Sequence, residues 1–137
     1  SIVMDVIEIT RQLGAAVQAD EKYQKFAAAK EAADNDTDVQ AQLAEIEKIR
    51  AEYQEAAMAE HPDDTRLSKL DQEFQMAYAG FMGSDVMEKY ETARAELDAL
   101  MNYIMQILYL CVNGEDPATC EPHEDDCGGD CGHCAGC

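Results

Sequence analysis

Tryptophan is missing from this chain of 137 residues, phenylalanine occurs three times and proline three times, and no run of alternating apolar and polar residues long enough for a half-buried strand is present. Without such alternation a sheet has no face to bury, so β architectures are excluded. Basic residues are scarce as well: ten Lys and Arg stand against 29 Asp and Glu, for a formal net charge of -19, and none lies beyond Arg94. A surface this negative is repelled by phosphate, which argues against direct nucleic-acid binding and against anionic membrane surfaces. The longest apolar stretch, Ile104 to Val112, is interrupted by Gln106 and falls short of the ~20 residues a membrane span needs, so no membrane association is expected. The opening residues are acidic and amphipathic rather than basic and then apolar, so no secretory leader is expected and the reading is cytoplasmic.

Catalytic signatures are equally sparse. Serine occurs at positions 1, 68 and 84 only, and no Gly-x-Ser-x-Gly turn, phosphate-cradling glycine loop, His-Glu-x-x-His helix or Glu-x-x-His pair is present. An enzyme needs acid, base or nucleophile groups brought together, and nothing in the sequence supplies them.

What the sequence does have is helical periodicity, in five segments. Ile2, Val6, Ile9, Leu13 and Ala16 share one stripe, and Asp20 suits the N-cap of a second, alanine-rich helix carrying Tyr23, Phe26 and Ala27. After the break at 34–38, Thr37 with Gln40 reads as a capping box for a third helix that presents Val39, Leu43, Ile46, Ile49, Tyr53 and Ala57. Pro62 redirects the chain, and Asp63 and Asp64 suit the first turn of a fourth helix with Leu67, Leu70, Phe74, Ala77 and Phe81 on its stripe. Ser84 can cap the fifth, where Val86, Tyr90, Ala93, Leu97, Leu100, Ile104, Ile107 and Cys111 alternate steps of four and three. That seam is roughly 39 Å long. The fold class is therefore all-α, a bundle of about five helices built from antiparallel hairpins, with a long C-terminal helix whose seam invites self-association, a homodimer in the simplest case.

The end of the chain differs in kind. Residues 1–112 read as the helical domain, and 113–137 as an acidic, cysteine-rich tail holding seven acids and no base. Cys127, Cys131, Cys134 and Cys137 follow C-x3-C-x2-C-x2-C among glycines, with no apolar residue larger than Ala135 between them. Such a segment cannot form a core, while closely spaced thiols on a pliable backbone suit the corners of one metal ion or cluster. The spacing is that of a bacterial ferredoxin run reversed. These four are the candidate ligands, with Cys120, His133 and Cys111 in reserve; Cys111 also continues the apolar seam, where a small buried thiol is the ordinary reading. His133 keeps zinc open beside iron-sulfur, and disulfides or an unliganded tail are the plainer readings. His61 and His123 lie next to acids but are explained by helix capping and by a solvated linker. A protein that stores or delivers metal through this tail is the alternative function.

Three stretches, Glu21 to Lys30, Glu52-Tyr53-Gln54, and Ser84 to Leu97 running on to Ile104 and Ile107, resemble the YlbF/YmcA family of bacterial regulators over nearly all of residues 2–112. The resemblance implies an all-helical, oligomerising, non-catalytic cytoplasmic protein. It further implies a role in competence, sporulation and biofilm regulation, with other YlbF/YmcA-type proteins and the RNA-processing machinery of ribonuclease Y as partners. Because some members carry a cysteine-containing end linked to iron-sulfur binding, it favours a [4Fe-4S] cluster over zinc here.

Overall fold

A computed structural model describes residues 5–123 of the chain. Its five helices are α1 (Val6–Ala19), α2 (Glu21–Asn35), α3 (Thr37–Ala57), α4 (Asp64–Met82) and α5 (Asp85–Val112), and no strand occurs among the described residues. The all-α helical bundle expected from periodicity is the fold.

The helix boundaries follow aspartate chemistry. Single residues, Asp20 and Asp36, separate α1 from α2 and α2 from α3, each in extended conformation (φ -73°, ψ 145° and φ -83°, ψ 116°). At each joint the aspartate N–H still donates to the helix behind it, to Val17 at 3.1 Å and to Ala33 at 3.3 Å, while its carboxylate accepts from the helix ahead. The Asp20 carboxylate takes the Lys22 N–H at 2.8 Å and that of Asp36 takes the Val39 N–H at 2.9 Å. This corrects the capping box expected at Thr37: Asp36 caps α3, Thr37 is the first helical residue, and the Gln40 side chain donates instead to the Ala33 carbonyl at 3.1 Å. A carboxylate one position earlier outcompetes the hydroxyl because it accepts more strongly at the positive end of the helix. Likewise Asp63 is the cap of α4 rather than part of its first turn, accepting from Thr65 and Arg66. Ser84 caps α5 as expected, its hydroxyl accepting from the Met87 N–H at 3.3 Å.

By its internal contacts the chain divides within α5, into Ser1–Ala93 and Arg94–Cys137. In the first unit α3 and α4 form the principal hairpin. Ile46 and Ile49 from α3 and Leu70 from α4 are buried, the Arg50 guanidinium lies 5.9 Å from the Phe74 ring centroid, and Arg66 reaches Glu52 at 3.7 Å. The contact line leaves the expected stripe in the last turns of α3, where Tyr53 and Ala57 are exposed and Glu52 and Ala56 are half-buried instead. A second cluster joins Ala33, Val39 and Met87, all buried, to Phe81, Met82, Val86 and Tyr90. Burial of side chains of this size is worth about 1.5–3 kcal/mol each, so these two clusters carry the fold.

α1 behaves differently. None of its 14 residues is buried, and Val6 (73%), Ile9 (48%) and Leu13 (37%) keep much of their surface in solvent. Of its expected stripe Val6, Ile9, Leu13 and Ala16 lie uncovered, and Ile2 lies outside the described residues.

Candidate functional site

The second unit begins at Arg94, and there α5 changes character. From Ala99 to Gly114 the chain has no charged residue. The seam residues Leu97, Leu100, Ile104, Ile107 and Cys111 are half-buried, but Met101, Met105, Leu108 and Val112 form a further stripe at four-three-four spacing that is exposed, Val112 at 81%. Tyr103 and Tyr109 are exposed too. This second stripe was legible from spacing alone, yet the stronger seam beside it masks the signal. An uncovered apolar surface on a protein of net charge -19 is costly unless something covers it in use. Among the described residues α5 is also the helix long and apolar enough, by length and composition, to cross a membrane once the residues upstream of Ile104 are counted. Glu96 and Asp98 lie in that upstream part and suit a packing helix better.

α5 ends in a glycine turn with the hydrogen bonds of a Schellman motif. The Gly114 N–H donates to Cys111 at 3.0 Å and the Glu115 N–H to Leu110 at 3.1 Å. Gly114 has φ +94°, a conformation that favours a residue without Cβ. The chain then closes a short turn in which Asp116 accepts from Ala118 through its side chain and from Thr119 and Cys120 through its backbone. That turn carries the chain from Cys111 to Cys120. Both are unbridged and half-buried. Partial desolvation, then the Cys111 thiol, and then Glu115 and Asp116 push Cys120 above the ordinary thiol value, favouring its protonated form.

The candidate ligands Cys127, Cys131, Cys134 and Cys137, with His133, lie outside the described residues. Of the reserve positions, Cys111 and Cys120 are described, each half-buried and unbridged. Among the described residues no three His, Cys, Asp or Glu side chains are grouped so as to hold a metal ion, and that includes His61 and its neighbouring acids.

The sequence profile of a family described as control of competence regulator ComK, YlbF/YmcA, matches residues 6–110, most of the chain and all five helices almost to their end. The chain belongs to the YlbF/YmcA family. No curated protein and no solved structure matched it. YlbF/YmcA is a family of regulators, and the matched span covers both exposed stripes, on α1 and on α5, apart from Val112. It stops one residue before Cys111, so all six cysteines of this YlbF/YmcA protein lie beyond it.

Proposed function

We propose that this protein is a cytoplasmic regulator without catalytic activity, which acts by docking other proteins through its helical body and carries a metal centre on its C-terminal tail. The observation that carries the reading is the family match over residues 6–110, and the uncovered apolar stripe Met101, Met105, Leu108 and Val112 supports a docking mode of action. A second copy of the chain is the first occupant, because the stripe is uncharged and pairs with itself without the repulsion carried by the rest of the surface. Other YlbF/YmcA-type proteins and the RNA-processing machinery follow from the family, with competence, sporulation and biofilm formation as the regulated processes.

The division of labour is residues 1–112 for docking and 113–137 for metal. Cys127, Cys131, Cys134 and Cys137 supply four soft thiolate donors, a set that suits a [4Fe-4S] cluster or zinc, and the family resemblance puts the cluster first. When those four thiolates converge on one centre the chain between them is fixed, and any partner that prefers the fixed form gains affinity through linkage.

Anaerobic purification of the full chain, followed by elemental analysis and a visible spectrum, tests the metal half of this reading. Stoichiometric iron with sulfide-to-iron charge-transfer bands supports it. Colourless protein with tightly held zinc replaces the cluster by a structural zinc site. Metal that passes readily to a chelator supports storage or delivery instead, and thiols free of any metal overturn this half.

A further inference from the structure

The α5 stripe is too small to hold two copies together by itself. Met101, Met105, Leu108 and Val112 are each partly covered, and at the ~200 Å² of a large side chain they leave on the order of 400 Å² in solvent. A stable contact buries about 800 Å² on each partner, so roughly half of the surface is missing. We propose that a second copy of the chain covers Val6, Ile9, Leu13 and Ala16 of α1 in the same contact that covers the α5 stripe. The inference rests on the reading of the α5 stripe as a self-association surface and assigns that surface its second half.

Area is the first support. The exposed parts of the α1 stripe amount to on the order of 300 Å², which brings the apolar surface offered by one copy close to the ~800 Å² standard. Charge is the second. In a molecule of net charge -19 a second copy is repelled wherever acids face acids. Helical spacing puts the two charged residues of α1, Glu8 and Arg11, on the side away from the stripe, so the face offered to that copy is neutral.

Pattern is the third. Val6 to Ala16 steps three-four-three over about 15 Å, and Met101 to Val112 steps four-three-four over about 17 Å. Both follow one heptad rule, so a second copy brings a neutral seam of matching length and pitch. Thr10 borders the α1 stripe, and its hydroxyl already donates to the Val6 carbonyl at 2.8 Å, so covering it strands no polar group. The chain's own tail cannot take the second copy's place, because no Val, Ile, Leu, Met, Phe or Tyr follows Val112 and an apolar face is covered by apolar side chains.

The test compares Ile9→Glu with Ile7→Glu in the full chain, kept reduced and free of oxygen, by sedimentation equilibrium and circular dichroism. Both residues are exposed and both changes add the same charge, but Ile7 lies off the stripe. No side chain of α1 is buried, so neither change disturbs a core. Ile9→Glu is expected to raise the dissociation constant for self-association at least about tenfold. Ile7→Glu should leave it unmoved, and helix content should be unchanged in both. Ile9→Ala, which keeps the helix propensity, should act in the same direction as Ile9→Glu. A photoreactive side chain in place of Ile9, in a mixture of ordinary and heavy-isotope protein, should link light chains to heavy ones. Equal effects of the two glutamates, or links confined to one chain, would overturn the inference. Wild-type association that Leu108→Glu weakens and Ile9→Glu does not would also overturn it, while leaving the α5 stripe as the contact. A wild-type chain that is monomeric at every concentration would remove the α5 reading and this one with it.

Discussion

The ring of Phe26 lies 5.6 Å from the ring of Tyr90, centroid to centroid and tilted by 38°. That contact ties the middle of α2 to the first turns of α5, beside the cluster of Ala33, Val39 and Met87. Offset aromatic pairs add ~1 kcal/mol to the area they bury. Phe26→Ala is expected to destabilise the protein by about 2 kcal/mol, and Phe26→Leu by less, in denaturant unfolding followed by circular dichroism. Equal, negligible effects would mean that this pair is not part of the core.

The caps make a sharper comparison because two adjacent residues compete for one role. Removing the Asp36 carboxylate with Asp36→Ala should cost about 1 kcal/mol, since the Val39 N–H loses its acceptor. Thr37→Ala should be close to neutral. If the threonine change were the costlier one, the cap would belong to Thr37 after all.

An exposed apolar stripe can be disabled without touching a buried side chain. Leu108→Glu, or Met105→Glu with it, places charge on the uncovered face of α5. In analytical ultracentrifugation these variants are expected to shift the wild-type self-association equilibrium toward monomer, with helix content unchanged. A wild-type chain that sediments as a monomer at all concentrations would remove the second copy as the occupant.

Truncation after Val112 separates body from tail. Helicity and the unfolding midpoint are expected to stay within a few degrees of the full chain, while metal recovered from anaerobic purification falls to background. Collapse of the helical fold on truncation would mean that the tail is structural.

How much of this was legible beforehand differs by element. The four-three seam of α5 and the α4 stripe around Leu70 and Phe74 could be read because packing imposes a period that survives in the residue types. The caps at Asp20 and Ser84 were legible for the same reason, a short polar side chain before an apolar run. Asp36 was misjudged because Asp34, Asp36 and Thr37 all satisfy the composition rule, and only backbone geometry decides among them. That α1 has a stripe was plain; that the stripe lies uncovered was not, because exposure depends on what packs against it. The turn that follows α5 left no periodic trace at all. It follows from one glycine in a left-handed conformation and two closing hydrogen bonds, which composition marks only as a turn.

The two aspartate joints also bear on how α1 works. A linker of several residues would let the first helix swing and search, and any contact made by it would have to overcome that lost freedom. Here the joint to α2 is a single residue, Asp20, whose own N–H and carboxylate are both engaged, so it has fewer conformations open to it than a longer linker would have. Val6, Ile9 and Leu13 are exposed on that helix, and anything that covered them would have less chain freedom to quench than on a loosely tethered one.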